Sequence, residues 1–310
     1  MSTSLRADVA ALRDRPHAQV LILGGGINGI ATFRDLALQG VDVAIVDAGD
    51  FMSGASSASS HMIHGGVRYL ENGEFRLVRE AVQERNRLLR LAPHYVRPLQ
   101  TTIPLYSAFS GLVSAPLRFL RHGSGRPQER GAALIKIGLT LYDSFSRDGG
   151  RLPRHRFHGG RRSHDELPAL DPAVKYTATY WDASVHDPER LGMDLLADAL
   201  RAGASGAGAR GDGEDRARAA NYTAAAGLEP GGVILHDRVS GERFAFSADL
   251  VVNVTGPWAD LTNEALGDET AFMGGTKGSH VVLDHPELLA ATGGREIFFE
   301  HSDGRIVLIH

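Results

Sequence analysis

The sequence contains no cysteine. This removes disulfides, thiolate nucleophiles and cysteine-ligated metals or iron–sulfur clusters, so any redox chemistry belongs to a bound organic cofactor. Lysine is almost missing as well. Lys136, Lys175 and Lys277 stand alone among basic residues that are otherwise arginines, and the arginines are spread along the chain in a way that reads as coding bias. A net charge of −4 gives no basic footprint for nucleic acid. No uninterrupted apolar run reaches membrane-spanning length, and the opening MSTSLRADVAALRDRPH lacks the apolar core of a signal peptide. The expected location is cytoplasmic, with peripheral contact at the inner face of the cell membrane left open.

What is present centres on residues 20–68. Val20 to Leu23 is a short apolar run. Three glycines follow directly, then a segment with helical spacing at Ile27, Ile30, Phe33 and Ala37. Gly24, Gly26 and Gly29 fit G-x-G-x-x-G. In that pattern the first glycine allows the turn, the second admits a pyrophosphate close to the backbone, and the third lets the helix pack on the strand. Gly25, Ile27 and Asn28 complete the turn, whose free N–H groups and positive dipole end suit phosphates. Gly40 ends the helix, and a second strand, Val41 to Val46, delivers Asp47 where an acid can accept from a ribose diol. The strand, helix, second strand and acid all in register make this dinucleotide binding rather than a structural glycine turn.

A long loop rich in serine and glycine follows, GDFMSGASSASSHMIHGGVRYLENG. Its hydroxyls and N–H groups suit a phosphate or a flavin edge, and unstructured stretches of this length are usually functional. Further on, a helix is expected from Glu74 to Leu91 with Phe75, Val78, Val82 and Leu89 on its buried face. A strand is expected from Pro98 to Tyr106, whose prolines suggest an edge or crossover, and one helix from Ala132 to Tyr142. Ala178 to Val185 reads as a strand and Glu189 to Arg201 as a helix. The stretch AGASGAGARGDGEDRARAA reads as a surface loop. Short strands are expected at Asn221–Leu228, Gly232–Asp237 and Arg243–Phe246. A separate buried strand, Asp249–Thr255, should end at Gly256-Pro257-Trp258, and a hairpin of Glu296–Glu300 with Arg305–Ile309 closes the chain.

GGGING, the SGxSSxSS loop, IHGGVRYLENGEFRLVREA, the strand ending NVTGPW, and TKGSHVVLDHPE together resemble FAD-dependent glycerol-3-phosphate dehydrogenase, within the D-amino-acid-oxidase-like flavoenzymes. The resemblance implies an α/β fold: a Rossmann-like FAD-binding domain with a discontinuous antiparallel-sheet substrate domain. The expected division is a leader over 1–17, an FAD domain over 18–97 and 187–265, and a substrate domain over 98–186 and 266–310. It further implies FAD as cofactor and oxidation of sn-glycerol 3-phosphate to dihydroxyacetone phosphate. Electrons would pass to a quinone or other acceptor, a homodimer is left open, and the chain would be an N-terminal portion. Gly24, Gly26 and Gly29 match the pyrophosphate turn, Asp47 the ribose acid, and Ser56, Ser57 and Ser59 the flavin-contacting loop. Gly65 and Gly66 lie in the family's HGG stretch, Thr255 and Gly256 in the second FAD-side turn, and Arg68 and Tyr69 match the phosphoglycerol pair.

The chemistry needs a base for the hydroxyl proton and a cation for the phosphate. Arg68 suits the phosphate through its guanidinium fork, the alternative being a pair with Glu71 or Glu74. His64 is a base or a loop histidine bonded to backbone, and Tyr69 a pocket residue or a packed ring. Lys277 and His280 line the pocket or sit exposed on a strand. His61 and His64 have metal-like spacing but no third ligand, so no metal is expected. The competing readings are another oxidase of the same superfamily and a non-catalytic FAD-binding fragment.

Overall fold

The structure, a computed structural model, describes residues 6–109, 131–146, 152–204, 215–275, 278–300 and 306–309. The strands in chain order are β1 His17–Leu23, β2 Val43–Val46, β3 Met62–Ile63, β4 Val96–Leu105, β5 Arg156–Gly159, β6 Tyr176–Val185, β7 Ala217–Ala220, β8 Thr223–Glu229, β9 Gly232–Asp237, β10 Arg243–Asn253, β11 Glu296–Glu300 and β12 Ile306–Ile309. The architecture is α/β and falls into two compact units. The first is Met1–Ser60 with Asp187–Ser279, and the second is His61–His186 with His280–His310. The segment from 61 to 97, expected with the cofactor domain, therefore lies in the second unit.

The first unit holds a six-stranded sheet in the order β7-β2-β1-β10-β9-β8. β1 runs parallel to both β2 and β10. From Val20 onward β1 is buried on both faces, which is why it reads as a continuous apolar run and not an alternation. Val20, Ile22, Val43 and Ile45 face Ile30, Phe33 and Ala37 of the Ile27–Leu38 helix and Leu196 and Ala199 of the Pro188–Ala204 helix. Leu21, Leu23, Ala44 and Val46 face the other way, onto Val9, Leu12, Leu235 and Phe246.

Those last contacts correct the leader. Residues 7–14 form a helix whose Val9 and Leu12 are fully buried, and Arg6 donates to the Asn221 side chain at 2.8 Å. Two further expectations change here. Ala217–Ala220, read as part of a surface loop, is an edge strand paired with β2; residues 205–214 of that loop lie outside the described part. The two strands expected at 243–246 and 249–255 are one, β10, antiparallel to β9 in its first half and parallel to β1 in its second.

The second unit holds the order β12-β11-β4-β6-β3, with β5 also on β6. β4 is flanked on both sides, so its prolines do not mark an edge. β11 pairs with it only at Thr101 and Thr102, between Pro98 and Pro104, and the ladder to β6 takes the rest. The Phe75–Leu91 and Ala132–Phe145 helices pack on this sheet through Val78, Val82, Leu139 and Tyr142. The hairpin β11–β12 is present, its turn at 301–305 lying outside the described residues. Val281, Val282 and Leu283 are exposed and in no regular element.

Candidate functional site

The three-glycine turn forms where β1 ends. Gly24 has φ +112°, a conformation L side chains rarely adopt, and a Cβ there would lie 2.7 Å from the Val254 carbonyl oxygen. A Cβ on Gly29 would run into the Gly24 carbonyl oxygen, and one on Gly25 into the Phe51 ring. Gly26 caps the helix in extended conformation, and the first intrahelical bond is Ile30 N–H to the Gly26 oxygen at 3.0 Å. The N–H groups ahead of Ile30 have no partner inside the helix. That of Ile27 is met by the Ser56 hydroxyl at 2.9 Å, so an oxygen already sits where a phosphate oxygen would. The Ile27 and Asn28 side chains are exposed beside it.

Asp47 ends β2. Its Oδ2 accepts from Gly25 N–H at 2.6 Å and its Oδ1 from Gly49 N–H at 2.7 Å, tying the turn to the following loop. In that loop the Ser57 hydroxyl donates to the Gly54 oxygen at 3.0 Å and Ser59 is exposed. On the neighbouring strand, Thr255 Oγ1 donates to Asn253 Oδ1 at 2.7 Å and Gly256 turns the chain with φ +60°. The turns at Gly24–Gly26 and Val254–Gly256 thus abut at the carboxyl ends of two adjacent parallel strands, the place where open α/β sheets hold ligands. The Cβ-free cradle, the helix start and the serine hydroxyl fit a pyrophosphate.

The other candidates, His64, Gly65, Gly66, Arg68 and Tyr69, lie in the second unit, after β3. Gly66 is left-handed with φ +70°, and a 3-10 turn over Val67–Asn72 carries Arg68 and Tyr69 before left-handed Gly73. A Cβ on Gly66 would lie 2.5 Å from the Tyr69 ring. His64 and Tyr69 are exposed, while the Arg68 side chain lies outside the described part, as does Lys277. His280 is exposed. Among the described residues no three His, Cys, Asp or Glu side chains cluster as metal ligands.

Beneath this stretch lies a polar cluster that sequence reasoning missed. Asp182 Oδ1 accepts from Arg85 Nη1 at 2.7 Å, Tyr142 Oη at 2.5 Å and Gly65 N–H at 3.1 Å. Arg85, Tyr142 and Asp182 are each at most 1% exposed. Burial, and then the Asp182 charge, push the Tyr142 phenol well above its usual value; Tyr180 shifts the same way for the same two reasons.

Glu296 sits on the same sheet, its Oε2 accepting from Thr101 Oγ1 at 3.2 Å. Burial, with a contribution from Asp182, raises its carboxyl to about 7 from an ordinary 4.5. The neutral acid is favoured in the folded chain, so folding takes up a proton. Stability is full below about 4.5 and declines as pH rises through about 7, by on the order of 3 kcal/mol. Urea midpoints should therefore fall between pH 5 and pH 8, and Glu296→Gln should flatten that fall; equal slopes in the two proteins would refute it.

Residues 19–309 match the family model described as FAD dependent oxidoreductase (DAO). The chain belongs to this family. Its cofactor is FAD. Among relatives, a glycerol-3-phosphate dehydrogenase of Synechocystis is 37% identical over 88% of this chain and 47% of its own. A D-erythritol 1-phosphate dehydrogenase of Brucella abortus is 33% identical over 94% and 51%. The chain spans about half the length of the curated relatives it matches. A solved glycerol-3-phosphate dehydrogenase of Bacillus halodurans, complexed with FAD, shares the fold with a TM-score of 0.56 at 19% identity, over 96% of this chain and 47% of that one. No helix among the described residues is long and apolar enough to cross a membrane.

Proposed function

We propose that this chain carries the cofactor turn and the phosphate-side loop of an FAD-dependent glycerol-3-phosphate dehydrogenase. The reaction is oxidation of sn-glycerol 3-phosphate to dihydroxyacetone phosphate, with the electrons passed on to a quinone or other acceptor. The observation that carries this reading is the 37% identity to the Synechocystis glycerol-3-phosphate dehydrogenase across 88% of the chain. The Brucella relative supports the same substrate class, since both names specify a phosphorylated polyol.

FAD supplies the two-electron acceptor. The Ile27–Leu38 helix start and Ser56 would hold its pyrophosphate, and the glycine cradle would admit it without a Cβ in the way. Arg68 grips the substrate phosphate through two parallel N–H bonds, which fixes the carbinol carbon. His64, on the exposed side of the same loop, accepts the hydroxyl proton as the carbinol is oxidised. With a quinone as acceptor, the protein docks peripherally on the inner face of the cell membrane.

The visible spectrum of the purified chain, recorded anaerobically, tests this. Flavin bands that bleach on adding sn-glycerol 3-phosphate are the expected result. Bleaching by D-erythritol 1-phosphate alone would keep the reaction class and overturn the substrate. Bands that persist with both would reduce the chain to a cofactor-binding fragment, and absence of flavin would overturn the reading altogether.

A further inference from the structure

We propose that Arg85, Tyr142 and Asp182 form a positioning cluster for the loop at 64–69, gripping the buried Gly65 N–H so that His64 and Tyr69 are presented from a fixed backbone. This rests on the reading of that loop as the substrate-side element.

The geometry singles out one amide. β3 pairs with β6 only at Met62 and Ile63, so the sheet releases the chain at Ile63. The next anchor is Gly65, whose N–H meets Tyr142 Oη at 2.9 Å and Asp182 Oδ1 at 3.1 Å. His64 lies one residue before it on the exposed side, and left-handed Gly66 one residue after. The glycine at 65 is demanded by the same contact, because a Cβ there would collide with Tyr142 Oη and the Val82 side chain.

Each cluster member is held from several directions. Arg85 Nη1 also reaches the Trp181 carbonyl oxygen at 3.1 Å and Tyr142 Oη at 2.9 Å, and its Nη2 reaches Ser146 Oγ at 2.9 Å. Asp182 Oδ1 takes three donors, while its Oδ2 is buried with no hydrogen-bond partner among the described residues. A buried ion pair with an orphaned oxygen is not the arrangement that maximises stability. Apolar residues of similar volume serve stability as well or better. Stability therefore does not account for the cluster, whereas its grip on an otherwise unpaired loop amide does.

Amide hydrogen exchange of the chain, without cofactor or substrate, tests this separately from the proposed reaction. Tyr142→Phe deletes only the hydroxyl, and the triple replacement Arg85→Met, Tyr142→Phe, Asp182→Leu removes the cluster while keeping its volume. For Tyr142→Phe we expect exchange in the 64–70 segment to quicken by about ten-fold, with the Phe75–Leu91 helix and β6 unchanged. The triple variant should keep its melting temperature and lose loop protection further. Unchanged loop exchange in both variants overturns the proposal. So does equal quickening in the loop, the helix and β6, which would make the cluster merely structural. If the triple variant does not fold, Tyr142→Phe alone decides between these outcomes.

Discussion

Gly29→Ala should cost the protein its cofactor. The added methyl would occupy the place of the Gly24 carbonyl oxygen and press on Val254 Cγ2 at 3.2 Å, so the Ile27–Leu38 helix has to lift off the end of β1. On the proposed reading the helix start presents N–H groups to the pyrophosphate, and lifting it would remove them from reach. Overpacking of this kind costs about 1–3 kcal/mol, and that cost falls on the site itself, so FAD affinity should drop by on the order of 100-fold. A fluorescence titration with FAD reads it directly. Gly227→Ala, in β8, meets nothing within 4 Å and is the control. Equal affinity in both variants would mean that the glycine pattern is structural and not a cofactor turn.

The second large effect belongs to Arg85. It has the largest side chain among the fully buried described residues, and its guanidinium lies 2.7 Å from Asp182 Oδ1. Arg85→Met leaves the Asp182 carboxylate without its cation in a place water does not reach. Breaking one side of a buried pair costs about 3–5 kcal/mol, even where replacing both partners is neutral. Denaturant unfolding should show the loss, and Arg85→Met combined with Asp182→Leu should recover most of it. A single variant as stable as the parent would show that water reaches the pair after all.

The contrast between these two sites explains what was legible in the chain. Gly24, Gly26 and Gly29 advertise themselves because what they satisfy is local: a left-handed turn and a close helix within six residues. Arg85 gave half a signal. Its position continues the buried stripe of Val78 and Val82, so an arginine in that phase must find a partner inside. Asp182, however, is 97 residues away and only the fold brings it near. β7 stayed hidden because alanines and arginines after a glycine-rich stretch carry no strand period, and its burial comes from neighbours in space. β10 read as two strands because Ser247, Ala248 and Asp249 interrupt its apolar run where it changes partner from β9 to β1. The prolines of β4 misled for a similar reason. They rule out pairing on one side at their own positions only, and β11 docks in the gap between them.

The place of β10 beside β1 also sets a timetable. His17 pairs with Ser247, so the central ladder of the first unit joins segments about 230 residues apart, and the His61–His186 part of the second unit is made in between. At roughly 5–20 residues per second, β1 and β2 emerge from the ribosome and wait on the order of ten seconds or more for the strand that completes their sheet. During that interval Leu21 and Ile22 lack only the flanking β10, since the Ile27–Leu38 helix and Val9 and Leu12 of the first helix are already made and cover the two faces of β1. The three-glycine turn is thus synthesised about 230 residues before the Val254–Gly256 turn that abuts it in the folded chain.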